Sequence, residues 1–323
     1  MESPLGSFLC PPGFAGPTGL RAIARETSAV SEAARYVQRQ AQSRWQRRST
    51  PYALRAPEHG LAPVVLVPGF MAGDGTLGLM SRHLRGLGYR TYRSTMHANV
   101  GCTMAASEAL ERRIEAITTK RGRKVTIVGH SLGGLMARGL AAKRPDLVDA
   151  IVTLGSPILA PGAAHPVLLF DLKVVTRLQR AGLGRMMGAD CTSGDCARTS
   201  WEQSQVPLVK GLAFTSVFSR RDGVVDWRSC LDPQATTVEV RTSHLGMAFD
   251  PVVLDVVART LAANRARARS ETVSPPARLA AVPDASVGQH PGASTSPQPP
   301  SPRRAAAAGR DRRAVRAAPP RPR

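Results

Sequence analysis

The sequence predicts an α/β fold, with a mostly parallel central sheet, helices on both faces and a helical cap insertion. Two observations carry this prediction. Short, continuous apolar runs such as "PVVLVPGF" (63–70) and "KVTIVG" (124–129) are typical of strands that are buried on both faces. Segments with helical periodicity separate these runs, and such alternation implies right-handed crossovers and a sheet that is covered on both sides.

The expected elements follow one another in a regular order. Apolar runs predict strands at 63–70, 124–129, 149–157 and 211–218. "YRTYRS" (89–94) and "TTVEVR" (236–241) are predicted as further strands of the same alternation. Helical composition and spacing predict helices near 76–87, 103–120, 132–143 and 251–264. The last helix has a favourable start, because Asp250 is a good N-cap and Pro251 suits the first helical position.

Composition divides the chain into three parts. Residues 1–59 form an N-terminal extension that is partly helical, and residues 60–264 form the α/β domain. The regular alternation stops at about 157–207, and these residues are expected to form the cap insertion. Residues 265–323 are rich in Arg, Ala and Pro and hold almost no large apolar residue, so this tail is expected to be disordered.

The N-terminal extension carries a loose apolar stripe along its expected helix. The stripe could pack on the main domain or lie on a membrane surface, and its shortage of large residues favours packing. It consists of Ile23, Val30, Ala34 and Val37.

The net charge of +21 suggests an anionic partner. No zinc-finger spacing, aromatic RNA-binding cluster or helix-turn-helix accompanies it, so nucleic acid is not expected to be the main partner. The basic tail could contact an anionic membrane peripherally or could simply be solvated.

The chain start lacks a basic region followed by an apolar core, which predicts no signal peptide. No run reaches about 18 apolar residues, so no transmembrane helix is expected and the predicted location is the cytoplasm.

A candidate nucleophile lies in "VGHSLGG" (128–134), which fits the pattern G-x-S-x-G with Ser131 between Gly129 and Gly133. The motif ends a predicted buried strand and begins a predicted helix, which is the setting of a nucleophile elbow. On so tight a turn, neighbouring side chains would collide, and this explains the flanking glycines. Ser131 is therefore the predicted nucleophile.

A serine hydroxyl needs a base, and on such a fold the acid and then the base follow the nucleophile along the chain. His244 follows the strand at 236–241, whereas His290 lies in the predicted disordered tail, so His244 is the predicted base. The acid belongs on a loop after another strand. Asp222 comes just after the strand at 211–218, and Asp226 is the alternative, able to cap a following segment or pair with Arg228.

An oxyanion that forms during acyl transfer needs preorganised donors. The backbone N–H of Leu132, directly after Ser131, is one candidate. The other is expected in the loop after the first strand, where Gly69 permits close approach of the backbone; Phe70 N–H is the first choice and Met71 N–H the second.

These residues together resemble the α/β-hydrolase superfamily, in particular bacterial lipases, esterases and related acyltransferases. "GHSLGG" is typical of lipases, "SHLGMAFDP" is similar to the family's catalytic histidine loop and "SRRDGVV" to its acid loop, which favours Asp222 over Asp226. The resemblance covers residues 63–262. One departure is Pro68-Gly69, where many such lipases carry His-Gly at the oxyanion loop.

The resemblance implies a serine hydrolase that cleaves carboxylic esters through a Ser-His-Asp triad and an acyl-enzyme intermediate, without cofactor or metal. The Leu, Val, Phe and Met of the cap insertion fit a cover over an acyl pocket, so a lipid or another apolar small-molecule ester is the expected substrate. An acyltransferase with the same triad is the nearest alternative. A non-catalytic scaffold that binds membrane or nucleic acid is a more distant one.

The chain has five cysteines, an odd number that makes a poor disulfide framework. Cys191 and Cys196 in "CTSGDC" are close enough for a loop-closing bridge, and two free thiols are the equal alternative. No metal-ligand spacing is evident in the sequence.

Overall fold

The computed structural model of the protein describes residues 5–49 and 62–273. Six strands form one sheet in the order β2-β1-β3-β4-β5-β6, and every neighbouring pair is parallel. The strands are β1 (Pro63–Val67), β2 (Arg90–Arg93), β3 (Val125–His130), β4 (Val148–Leu154), β5 (Ala213–Phe218) and β6 (Thr236–Glu239). The predicted parallel α/β architecture is confirmed.

Helices cover both faces of the sheet. Apolar side chains of α3 (Gly78–Gly86) and α9 (Pro251–Val273) form the core on one face. Those of α4 (Thr103–Arg121) and α5 (Leu132–Lys143) form the core on the other face. The strands β1, β3, β4 and β5 are buried between the two layers because their side chains alternate between the two cores, as in other sheets wound by crossover helices. The edge strands β2 and β6 are partly exposed. This arrangement brings the carboxyl ends of all six strands to one edge.

Between β4 and β5 the chain leaves the sheet and forms three helices. These are α6 (Pro166–Arg180), α7 (Asp190–Ser193) and α8 (Asp195–Gln205). Helix α8 packs against α5 and α4. A small apolar cluster around Leu172, Val175 and Met187 joins α6 to Phe70, in the loop that follows β1. The residues 157–207 therefore lie over the edge at which Ser131 is found.

The N-terminal extension forms α1 (Gly19–Glu26) and α2 (Ser28–Ser49). The apolar stripe expected to pack on the domain does not do so, and that prediction is wrong: Ile23, Val30 and Val37 are 40%, 76% and 66% exposed, and Ala34 is exposed as well. The reason is that this helix pair docks by its charged face. Its buried contacts come from Ala22, Glu32 and Tyr36, and its ion pairs from Arg35 and Arg39 to Asp250 and Asp255.

The closing helix begins as expected, with the Asp250 side chain accepting a hydrogen bond from Val252 N–H at 2.8 Å. It continues to Val273, nine positions beyond the predicted end, so the first part of the predicted tail is helical. Residues 274–323 lie outside the described residues, as does the segment 50–61. In the described part of the chain, no helix is both long enough and apolar enough to cross a membrane.

Candidate active site

Ser131 stands on the turn between β3 and α5, at the carboxyl end of the sheet's central strands. Its backbone has φ 52° and ψ −122°, a conformation that non-glycine residues adopt only when the surroundings impose it. Two glycines make this turn possible. A Cβ at Gly129 would overlap the Gly133 carbonyl, and one at Gly133 would overlap the carbonyl oxygens of Val67 and Pro68. The steric reason inferred for the motif G-x-S-x-G is therefore visible in the structure.

His244 and Asp222 meet at the same edge. His244 Nδ1 lies 2.7 Å from Asp222 Oδ2, and both side chains are buried. The second oxygen of Asp222 accepts hydrogen bonds from the backbone N–H groups of Val224 and Val225, each at 2.8 Å. The carboxylate is thus fixed by its own loop and can hold the His244 ring in one orientation.

Asp226, the alternative acid, faces elsewhere. Its side chain accepts a hydrogen bond from Arg228 N–H at 3.1 Å and so caps the 3-10 helix Trp227–Cys230. It also forms an ion pair with the Arg228 guanidinium at 2.7 Å. Burial raises the pKa of Asp226, but the hydrogen bonds from Arg228 outweigh burial and lower it overall. The structure therefore brings Asp222, and not Asp226, to His244.

A chain of contacts connects Ser131 to this pair. Ser131 N–H donates to the Leu154 carbonyl at 2.9 Å, at the end of β4. The next residue, Gly155, has φ 55°, and a Cβ there would lie 3.1 Å from His244 Nδ1 and 3.2 Å from Asp222 Oδ2. The absence of a side chain at Gly155 lets the pair approach the elbow, so all three predicted residues share one edge.

Two charges act on His244 against the effect of burial. Desolvation favours the neutral ring and lowers its pKa, whereas the Asp222 carboxylate, through charge and hydrogen bond, and the charge of Glu26 raise it. The attraction to the two carboxylates outweighs desolvation, and the pKa of His244 lies above its ordinary value of 6.5. The site therefore stabilises the imidazolium that proton transfer would create.

His130, next to the serine, has a different part. Burial, followed by repulsion from His244, lowers the pKa of His130 to about 3, so its ring is neutral. Its Nε2 lies 3.0 Å from the His244 carbonyl oxygen, which can only accept, so this nitrogen carries the proton. The contact ties the elbow to the histidine loop.

The two candidate oxyanion donors border the same cavity as Ser131. Phe70 and Leu132 both line it. Met71, the second choice in the loop, donates its N–H to the Asn99 carbonyl at 3.1 Å. No such bond engages the Phe70 N–H in the part of the chain that the structure describes, so Phe70 is the better placed of the two.

Asn99 braces the oxyanion loop, a part that the sequence did not suggest. Besides accepting from Met71, its Nδ2 donates to the Pro68 carbonyl at 3.0 Å and its N–H donates to the Ala72 carbonyl at 2.9 Å. These contacts hold the loop that runs from Pro68 to Ala72. Asn99 is 2% exposed, but nothing in its local sequence marks it, because the loop that it holds is 31 positions away.

Two glutamates of the N-terminal extension hold the loops of the acid and the base. Glu26 Oε1 accepts from Gly223 N–H at 2.9 Å and from His244 N–H at 3.0 Å, and its Oε2 accepts from Leu245 N–H at 3.0 Å. Glu32 is 1% exposed and binds Ser243 through its N–H at 2.9 Å and its hydroxyl at 2.6 Å. Sequence reasoning missed both, because "ARETSAVSEAA" has only the composition of an ordinary helix.

A cavity of about 130 Å³ opens beside Ser131, and its wall is almost entirely apolar. Most of its wall comes from three parts of the chain: the N-terminal extension, the elbow with the loop after β1, and residues 157–207; Thr103 and Val225 complete it. Its apolar lining includes Leu5, Leu9, Phe70, Leu132, Leu135, Leu168, Leu169, Leu172, Met187, Trp201 and Val225. Within the described residues, Asp222 and His244 belong to no group with metal-ligand geometry.

Comparison with known proteins agrees with the fold. A family model described as "alpha/beta hydrolase fold" matches residues 80–191. The mature form of a lipase from Bacillus licheniformis superposes with a TM-score of 0.51 at 16% identity, over 64% of this chain and 94% of that one. Its propeptide form gives a TM-score of 0.50 at 17% identity, over 64% and 51%. A monoacylglycerol lipase from Paleococcus ferrophilus gives 0.43 at 17% identity, over 62% and 97%.

The sheet, the strained serine after β3 and these similarities define an α/β-hydrolase fold. Residues 80–191 match the model of the α/β-hydrolase family, and the chain is similar in fold to a bacterial lipase.

Proposed function

We propose that the protein is a serine hydrolase that cleaves carboxylic esters with an apolar acyl group. The observation that carries this proposal is the buried 2.7 Å contact between His244 and Asp222, at the edge where Ser131 holds its strained backbone. A nucleophile, a base and an orienting acid in this chain order are the arrangement that acyl-transfer chemistry requires.

In the proposed reaction, Ser131 Oγ attacks the ester carbonyl while His244 Nε2 takes the hydroxyl proton. Asp222 keeps the proton of His244 on Nδ1, which leaves Nε2 free to act, and stabilises the imidazolium. The N–H groups of Phe70 and Leu132 bind the oxyanion. His244 then protonates the leaving alcohol, and an acyl group stays on Ser131. A water that gives its proton to His244 attacks this acyl-enzyme. The bond to Ser131 Oγ then breaks, His244 returns the proton to that oxygen, and the acid leaves.

The cavity supports an apolar acyl group of modest size. Its volume of about 130 Å³ is close to that of apolar cavities of about 150 Å³ that accommodate a molecule such as benzene. A chain of a few carbons fits such a space as it stands, whereas a long acyl chain requires residues 157–207 to move. We therefore expect short acyl esters to be the better substrates.

Helix α6 lines the cavity on one side and exposes apolar side chains to solvent on the other. Helix α6 lines the cavity with Leu168, Leu169 and Leu172, and it exposes 50% of Val167 and 57% of Phe170. Exposed apolar side chains on an element that borders a binding site are a common mark of contact with another apolar surface. This supports an ester substrate of lipid character.

The test is a panel of p-nitrophenyl esters of increasing acyl length, assayed with wild type and Ser131→Ala. We expect turnover that is highest for short acyl chains and absent in Ser131→Ala. An added alcohol acceptor in the same assay separates hydrolysis from acyl transfer, because transfer would yield the new ester instead of the free acid. No turnover of any ester by folded wild type would contradict the proposal.

A further inference from the structure

We propose that Cys102, Cys191 and Cys196 form a binding site for a thiophilic divalent cation such as Zn²⁺. The fold brings together one cysteine from before α4 and two from the helices α7 and α8. Cys102 Sγ lies 3.4 Å from Cys196 Sγ, and Cys196 Sγ lies 3.8 Å from Cys191 Sγ. All three sulfur atoms are within 4.8 Å of one another. In sequence the first is 94 positions from the last, which is why spacing alone did not indicate a site.

The sulfur distances are close to those around a bound metal. A tetrahedral zinc with Zn–S bonds of about 2.3 Å separates its sulfur ligands by about 3.8 Å. The two distances from Cys196 Sγ, 3.4 Å and 3.8 Å, are near this separation, and small shifts would bring the three sulfurs onto one face of a tetrahedron. The fourth position would be open to water or to a group of a bound molecule, because all three cysteines are partly exposed.

The backbone around Cys102 stabilises negative charge on its sulfur, as a metal ligand needs. Cys102 is the N-cap of α4, a helix of 19 residues, so the positive end of the helix faces it. A cation that binds here would displace the thiol protons of its ligands, so its affinity should rise with pH.

The proposed metal site lies between two parts of the chain, at the wall of the cavity beside Ser131. Cys102 belongs to the main sheet domain, and Cys191 and Cys196 belong to the segment between β4 and β5. Cys191 also lines the apolar cavity beside Ser131, as does Thr103, the neighbour of Cys102. A bound cation would therefore fasten that segment to the domain at the wall of the cavity. Binding itself does not depend on the proposed esterase activity.

The experiment is a titration of the full chain, reduced and freed of metal, with Co²⁺ as a spectroscopic probe and then with Zn²⁺ in competition. We expect one cobalt per chain, with intense thiolate-to-cobalt absorption in the near ultraviolet that Zn²⁺ abolishes. Changes outside the ligand set already cost about 10–100-fold in metal affinity, so Cys102→Ser and Cys196→Ser are expected to weaken binding by at least about 100-fold. Cys10→Ser, which removes an exposed cysteine outside the cluster, is the matched control and should bind as wild type does.

Three outcomes would overturn the proposal. One is the absence of thiolate-to-cobalt absorption in reduced wild type. Another is equal cobalt affinity in Cys196→Ser and Cys10→Ser. The third is a protein whose intact mass shows a disulfide that persists under mild reduction while no metal binds, because the cluster would then serve as a covalent bridge. Circular dichroism of each variant verifies folding, and Cys191→Ala replaces any serine variant that fails to fold.

Discussion

The carboxylate of Glu26 accepts a hydrogen bond from the backbone N–H of His244 at 3.0 Å, although 218 positions separate the two residues. The same carboxylate binds Gly223 N–H at 2.9 Å, directly after Asp222. One side chain of the N-terminal extension therefore joins the loop of the proposed acid to the loop of the proposed base. The extension belongs to the site, where it acts on both position and charge.

Glu26→Gln is expected to lower kcat/KM by about tenfold, because small displacements of reacting groups cost rate steeply. It is also expected to shift the acidic limb of the pH profile to lower pH. The reason is that the charge of Glu26 raises the pKa of His244, and glutamine lacks that charge. The measurement is kcat/KM against pH for the variant and for wild type.

Glu115→Gln serves as the control, because Glu115 is exposed on α4 and, among the described residues, pairs with Arg144 at 3.4 Å. This variant should leave kcat/KM and the acidic limb of its pH profile unchanged. A slower Glu26→Gln enzyme with an unshifted limb would mean that Glu26 contributes structure but no charge.

Asp222→Asn and Asp226→Asn form a matched pair that separates the two candidate acids. Asp222→Asn is expected to reduce kcat by about 10⁴-fold, as loss of the orienting carboxylate does in other serine triads. Asp226→Asn removes an ion pair with a half-exposed arginine and should change kcat by less than about tenfold. Steady-state kinetics and circular dichroism measure the two effects. The reverse ranking in two folded proteins would assign the acid to Asp226.

The pH dependence of wild type follows from the direction of the His244 shift. His244 must be neutral to accept a proton, and its pKa lies above 6.5, so kcat/KM should fall as pH decreases through a midpoint above 6.5. His130 does not titrate in this range, because its pKa is about 3. An acidic midpoint below 6.5 would show that burial outweighs Asp222 and Glu26 in setting the charge of His244.

Asn99→Ala tests the support of the oxyanion loop. The variant loses the bond from Nδ2 to the Pro68 carbonyl, so Phe70 N–H is held less firmly. We expect kcat to fall by about tenfold or more while KM changes little, because the oxyanion forms only during reaction. Leaving the buried carbonyl without its partner should also cost about 1–3 kcal/mol of stability, which thermal unfolding would register. A rise in KM with unchanged kcat would place Asn99 in substrate binding instead.

Local sequence was enough to predict the central sheet and the strained turn at Ser131. Apolar runs marked β1, β3, β4 and β5, because strands buried on both faces leave a continuous signal. The edge strands β2 and β6 are polar and partly exposed, and they were predicted from their place in the alternation. Gly129 and Gly133 marked the strained turn because only glycine fits there. The choice of Asp222 over Asp226 as the partner of His244 rested on chain order and on resemblance, and the structure places the two carboxylates accordingly.

The remaining parts of the site could not be read from local pattern. Glu26 and Asn99 act through single hydrogen bonds to distant loops, and such contacts leave no periodicity in the sequence. The apolar stripe of the extension predicted the wrong packed face, because hydrophobicity does not determine how this helix docks. The helix docks instead through Glu32 and the ion pairs of Arg35 and Arg39.

The central claim, that Ser131 is an activated nucleophile, is tested most directly by labelling with a fluorophosphonate, followed by mass spectrometry of the labelled peptide. The account predicts that folded wild type takes up one label per chain, on Ser131, and that Ser131→Ala takes up none. Absence of label from folded wild type, or equal labelling of Ser131→Ala, would contradict it.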